Sequence, residues 1–339
     1  LQSSEAILRK IQHRRVIIIC IAIACGVITF SVSIMVGTIN LQLGEIWRAL
    51  WKTSDNSLGN QIIYNVRLPR ILTGFLVGMN LAVAGGLLQG ILRNPLAAPH
   101  VIGVNAGAGL LAVIVMLFAP GQMHLIPIGA FVGALTAALL VYGLSVHTGT
   151  SSTAQIVLAG VAVSAFLSAV TSGLMLLHAD ELAITYSWLL GSLSGRNWRY
   201  FSMLWPYSLF GLMTAVLISP KINLFHLGEE IGSSLGLSVK VYRTLVIIIA
   251  AVLAGSAVSV AGTIGFIGLI APHLARLLVG NDYRYSIILS AVLGGTLLVI
   301  SDTIARSIFQ PVELSVGIVT AILGAPFFLF LLYRKRSLS

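Results

Sequence analysis

The residues able to do chemistry are few and far apart. Seven histidines, His13, His100, His124, His147, His178, His226 and His273, are scattered along the chain, and none has the short spacing that holds a metal. None of the five lysines follows a glycine, so the Gly-x-x-x-x-Gly-Lys-Ser/Thr phosphate loop is absent, and ATP, if it drives this protein, binds another chain. The ten acids, Glu5, Glu45, Asp55, Asp180, Glu181, Glu229, Glu230, Asp282, Asp302 and Glu313, fall in loops or near the ends of apolar runs. An ion-coupled carrier is expected to place such groups near the membrane midplane, so self-contained ion coupling is poorly supported. Asp302 stands four residues before Arg306, which predicts a local pair on one helix face. Cys20 and Cys25 lie within the first apolar run, where a thiol serves as a small hydrophobe. These residues point away from an enzyme.

The elements that carry them are membrane spans. Charged residues make up 9% of the 339 and apolar residues 57%, with a mean hydropathy of +0.99; soluble domains carry roughly 25% charged residues. The net charge of +10 does not describe a nucleic-acid footprint, because the basic residues sit between apolar runs and not in a block. Ten segments approach the roughly 20 apolar residues that a spanning helix needs: 16–36, 68–90, 101–118, 125–146, 154–177, 201–219, 244–262, 264–279, 285–305 and 314–333. An even number places both termini on one side. With a cytoplasmic N-terminus, thirteen of the twenty Lys and Arg fall inside and seven outside, as the positive-inside rule asks. The expected architecture is an all-α membrane protein, one membrane-spanning domain over residues 1–339. Within it, 1–15 and 334–339 are cytoplasmic ends. Glycine pairs four apart, such as Gly74 with Gly78 and Gly103 with Gly107, predict close helix packing.

Two polar features lie outside the spans. The stretch from Pro220 to Arg243 contains Leu227, Gly228, Glu229, Glu230, Ile231, Gly232, Ser233, Ser234, Leu235 and Gly236. It predicts one or two short helices broken at glycine, with Glu229 and Glu230 at an N-terminal turn where the helix dipole favours anions. Such a helix, facing the cytosol, suits docking to a soluble partner. The second feature is the set of basic residues allocated to the outer side, Arg48, Lys52, Arg67, Arg70, Arg196, Arg199 and Arg306. Guanidinium groups form bidentate pairs with carboxylates, and here they stand on the side where positive charge is disfavoured.

Several blocks then carry a resemblance. Arg67-Leu68-Pro69-Arg70, Gly85-Gly86-Leu87-Leu88-Gln89-Gly90 and Arg93-Asn94-Pro95-Leu96-Ala97-Ala98-Pro99 are followed by Trp188 to Leu193 with Trp198. Later come Gly262 to His273 with Arg276, and Glu313 to Thr320 with Gly324-Ala325-Pro326. In order and spacing, over about residues 15 to 333, the chain resembles the FecCD-type permeases of iron-siderophore and vitamin B12 importers. The resemblance implies a permease dimer, homomeric or heteromeric, with the transport path at its interface. It also implies two ATPase subunits that bind ATP and Mg, an extracytoplasmic binding protein, and no cofactor on this chain.

By the same resemblance Arg67, Arg70 and Arg306 match residues that dock the binding protein. Leu227, Gly228, Glu229, Glu230, Gly232, Leu235 and Gly236 match the coupling helices that enter the ATPase. Asn94, Leu96 and Thr153 match a cytoplasmic gate, and Ala154 stands where the vitamin B12 permease has a second hydroxyl residue. The expected cargo is an iron-siderophore complex, with vitamin B12 or haem as alternatives, crossing a bacterial cytoplasmic membrane along a path of small and apolar residues. A secondary carrier would move cargo without ATP, and a receptor or structural membrane protein would move none.

Overall fold

The computed structural model describes residues 2–37, 58–147, 153–226, 228–234, 236 and 238–336, and among these it contains helices and no strand. The long helices are α1 (Gln2–Met35), α3 (Leu68–Ile91), α4 (Val104–Phe118), α5 (Ile126–His147) and α6 (Thr153–Leu177). They continue with α8 (Trp198–His226), α10 (Val239–Ala261), α11 (Ile267–Val279), α12 (Tyr283–Ala305) and α13 (Val316–Arg336). Short helices α2 (Leu58–Ile62), α7 (Leu182–Leu189) and α9 (Glu229–Ser234) lie between them, and a single π turn, Ile63–Arg67, joins α2 to α3. Each of the ten expected segments coincides with one long helix. Among the described residues seven helices are long and apolar enough to cross a membrane, and three apolar ones, Val104–Phe118, Ile267–Val279 and Val316–Leu329, are shorter.

Helix α3 is the axis of the bundle, with 83% of its most apolar stretch buried, and α8, α10, α11 and α12 pack around it. Helices α4, α5 and α6 form a second group that meets the first chiefly through α10. Their contacts rely on small residues, because lipid tails are as apolar as any side chain and association must come from close packing. Gly107 and Gly133 face each other so closely that a Cβ on either would overlap the other's carbonyl, and Ala137 packs against Gly107 in the same seam.

Helix α1, by contrast, has 17% of its stretch buried and leans on α12 alone of the central helices to any extent. Polar clasps hold it at both ends. At one end Arg15 pairs with Asp282 at 3.3 Å, and Asp282 also accepts from Asn223 of α8 and caps α12 through the Arg284 backbone N–H. At the other end the backbone carbonyls of Ser33, Ile34 and Met35 accept from Arg306 and Arg67.

Two prolines inside helices are compensated locally. Proline has no N–H to give to the carbonyl four residues back. For Pro220 that carbonyl belongs to Val216, and the Ser219 hydroxyl donates to it at 2.7 Å. Helix α8 therefore continues to His226, and α10 begins at Val239. Both ends of the Pro220 to Arg243 stretch are thus helical, with the short α9 between them, and Arg243 is buried. For Pro272 in α11 the freed carbonyl is that of Gly268, and Gln89 of α3 donates its side-chain amide to it at 3.2 Å.

Candidate functional site

Three motif blocks far apart in sequence meet in one knot of irregular backbone. Gly191 and Gly262 both adopt positive φ, +74° and +72°, a conformation that side chains with a Cβ rarely take. These turns let Ser192 donate its backbone N–H to Ala261 at 2.8 Å, and Gly317 to Gly191 at 3.2 Å. The Thr263 hydroxyl donates to the Leu189 carbonyl. Helices α7, α10, α11 and α13 therefore converge on a point where breaks in regular hydrogen bonding are satisfied across elements. Trp198 adds a fourth tie by donating its indole N–H to the Tyr64 carbonyl at 2.8 Å.

Beside this knot lies a cavity of about 680 Å³. Its wall includes His100 of the short turn Pro99–Ile102, Asn105 at the start of α4, Ser164, Ser168, Thr171, Ser172 and Met175 along α6, Tyr186 and Leu189 of α7, and Thr263 of the knot. No acid, lysine or arginine lines it. His100 faces the cavity, yet the surrounding protein holds its pKa below the ordinary 6.5, because burial disfavours the imidazolium. The wall thus holds no fixed acidic, lysine or arginine charge and carries several hydroxyls. Spacing could have revealed it: residues 164, 168 and 172 repeat every four positions and share a helix face.

The arginines form a second site. Arg67, Arg70 and Arg306, the residues matched by resemblance to docking positions, lie in one region, and all three are buried, with 4%, 7% and 4% exposure. Arg70 donates from Nη2 to Asp302 Oδ1 at 2.9 Å and from Nε to Oδ2 at 3.0 Å, a bidentate pair. Its Nη1 bonds Glu313 at 3.0 Å, and the Glu313 side chain is 29% exposed. The local pair that its spacing predicts is present, with Asp302 Oδ2 3.9 Å from Arg306 Nε, and Arg70 on another helix adds a closer, bidentate partner.

Arg306 bonds Ser33 Oγ at 2.7 Å. Burial pushes its pKa down, with the Asp302 charge opposing and the Arg70 and Arg67 charges reinforcing that fall. Arg196, stacked on Tyr200 at 4.6 Å, is also lowered, by burial first, with Tyr200 opposing and Arg70 adding to the fall. Four guanidinium groups share a region with two carboxylates, and the excess is positive. Arg199, in the first turn of α8, is exposed.

The remaining expected residues fall at helix ends. Asn94 accepts the Leu96 backbone N–H at 2.9 Å, and Leu96 is exposed. Thr153 and Ala154 open α6, and no hydrogen bond joins them to Asn94 or Leu96 among the described residues. Gly228, with φ +114°, precedes α9, and Glu229 and Glu230 are its first two residues; Gly232 lies within it and Gly236, with φ +82°, follows. Leu227 and Leu235 lie outside the described residues.

The profile of the FecCD transport family matches residues 17–334, nearly the whole chain. The chain belongs to the FecCD transport family. Within this family it is 37% identical over 324 residues to the Fe(3+)-citrate import system permease protein YfmD of Bacillus subtilis, with 96% of each chain covered. It is also 37% identical to the hemin transport system permease protein HmuU of Yersinia pestis, covering 90% of this chain and 93% of that one. Among solved structures, a chain of a metal-chelate type ABC transporter in an inward-facing conformation superposes with a TM-score of 0.83 at 30% identity, over 94% of this chain and 99% of that chain. This FecCD member is therefore an ABC-importer permease, a multi-pass membrane protein and not an enzyme. Its motif blocks have a physical reading: Gln89 satisfies the carbonyl freed by Pro272, and the later glycine blocks build the knot beside the cavity.

Proposed function

We propose that this chain carries an iron-siderophore complex, or a similar ferric chelate, into a bacterial cytoplasm by alternating access. The observation that carries the reading is the uncharged cavity beside the knot, in a chain of the FecCD family. A cavity of this size suits a chelate and not a bare ion, since small-molecule sites run about 300–1,000 Å³. Among the described residues no group of three His, Cys, Asp or Glu could hold a metal.

In this reading residues 1–339 act as one domain with both termini cytoplasmic. A second permease subunit covers the outer face of α6, where Leu158, Phe166, Leu176 and Leu177 are each more than two-thirds exposed. ATP and Mg reside on two partner ATPases, which receive the glycine-bounded α9, and Asn94, Leu96, Thr153 and Ala154 gate the cytoplasmic side. An extracytoplasmic binding protein docks at the arginine cluster. Because Arg67, Arg70 and Arg306 are already engaged inside the fold, its carboxylates meet the net positive field and exposed groups such as Arg199, and compete with the partly exposed Glu313 for Arg70. Each ligand shifts the two-state equilibrium only through differential affinity.

Haem is the second reading, because identity to an iron-citrate permease and to a hemin permease is equal at 37%. The test is uptake of radiolabelled ferric chelate into proteoliposomes containing the permease with its ATPase and binding-protein partners. ATP-dependent accumulation is expected; uptake driven by an ion gradient without ATP would refute the importer reading.

A further inference from the structure

Helix α1 is longer than a bilayer needs. Its 34 residues extend for about 51 Å at 1.5 Å per residue, whereas a hydrocarbon core of about 30 Å takes about 20 residues. Val16 to Met35 supplies that stretch without a charge. Two helices agree on where the core ends: Arg15 pairs with Asp282 at 3.3 Å and lies 5.0 Å from the Tyr285 ring centroid, and Asp282 caps the start of α12. Tyrosine and arginine both favour the boundary between hydrocarbon and water, with an apolar body on one side and a polar tip on the other.

Four cations stand at or just past that boundary. Arg14, Lys10 and Arg9 follow Arg15 outward over about 2–9 Å of helix axis, and Arg284 lies in the first turn of α12, beside the cap. All four are exposed, and among the described residues no ion pair holds any of them. The headgroup layer is roughly 5–8 Å deep on each side of the core, so long side chains at these positions reach its phosphates. Glu5 is the one acid among the first 35 residues, and it precedes the cluster.

The surroundings of α1 decide which anion these groups meet. Only 17% of its most apolar stretch is buried; it packs on α12, α11 and α3, and Ile17, Ile21, Ile23, Val27 and Ile28 are exposed. That surface faces acyl chains, so the cations that continue it face headgroups. Helix α9, which receives the ATPase in the proposed assembly, packs instead on α8 and α10.

We propose that Arg9, Lys10 and Arg14 of α1, together with Arg284 of α12, form a docking surface for anionic phospholipid headgroups. The attraction is between guanidinium or ammonium groups and headgroup phosphates that carry a net negative charge, and it fades within a Debye length. A zwitterionic headgroup offers the same phosphate beside its own cation and is held less tightly. The inference goes beyond the importer reading and needs neither cargo nor ATP.

The test titrates phosphatidylglycerol or phosphatidylcholine of one acyl composition into the full-length permease in detergent, with bound lipid counted by native mass spectrometry. The wild type is expected to bind phosphatidylglycerol at least tenfold more tightly than phosphatidylcholine. In R9Q/K10Q/R14Q/R284Q the preference is expected to fall to threefold or less with an unchanged unfolding midpoint. K221Q/K240Q, which removes two exposed cations of α8 and α10, is expected to keep it. Should the fourfold variant not fold, the wild type in 0.5 M NaCl reads the same charges, and its preference is expected to drop to threefold or less. A wild type without preference, a preference that survives the four substitutions or the salt, or an equal loss in K221Q/K240Q would overturn the proposal. If the four substitutions weaken association with the ATPase partner and leave lipid preference intact, the surface belongs to that protein and not to lipid.

Discussion

Asp302 shows how a residue's partners across the fold add to those its sequence spacing provides. Its carboxylate is 3% exposed and holds two nitrogens of Arg70, so replacing it with asparagine leaves a buried guanidinium with Glu313 as its remaining charged partner. Removing one member of a buried pair typically costs about 3–5 kcal/mol. We expect Asp302→Asn to lower the thermal unfolding midpoint in detergent well beyond any loss from Glu313→Gln, whose partly exposed pair is worth about 1 kcal/mol or less. Equal midpoints for the two variants would show that Asp302 is not the anchor. Charge reversal at Arg70 is a poor probe of docking for the same reason, because it breaks the fold first. Arg199→Glu, on an exposed side chain, is expected to weaken binding-protein affinity severalfold without moving the unfolding midpoint, and an unchanged affinity would remove Arg199 from the docking surface.

At the scale of elements, the interrupted helices explain themselves through the groups that repair them. Gln89 donates to the carbonyl that Pro272 leaves free. Gln89→Leu should therefore cost about 1–3 kcal/mol, the penalty for an unsatisfied buried acceptor. In a Pro272→Ala background the restored backbone N–H takes over the carbonyl, and the same leucine substitution should cost far less. A double-mutant cycle read by thermal unfolding measures this coupling, and additive losses would mean that Gln89 stabilises by another route. Helix α9 carries the coupling proposal. A cysteine at Ser233, which is exposed, is expected to cross-link to the ATPase partner, whereas labelling of that cysteine from outside sealed cells would invert the topology.

For the whole molecule, the neutral cavity makes stability depend on pH through His100. Its pKa is held below 6.5 in the fold by burial, so in the window beneath 6.5 the unfolded chain binds the proton more readily. The contribution is fully present above that value and declines as pH falls through it. Between about pH 7.5 and pH 5.5, the wild-type unfolding midpoint should drop more than that of His100→Gln. Parallel curves would show that the ring is as solvated as in the unfolded chain.

Composition alone settled the solvent: 9% charge and a mean hydropathy of +0.99 leave no soluble fold possible, and the spacing of apolar runs marked each long helix. The motif blocks marked the family as well. The family resemblance also singled out Arg67, Arg70 and Arg306 as a group. What it did not reveal was their state, since burial and pairing depend on Asp302 and Glu313, more than two hundred residues beyond Arg70. The same holds for the serines of α6. Hydroxyls are unremarkable in a membrane helix, and only the packing of α4 and α7 against that face decides that three of them look into a cavity and not onto a neighbour. Periodicity and hydropathy are local properties that a chain carries wherever it goes; which polar groups are left with something to bind is decided when distant segments close around them.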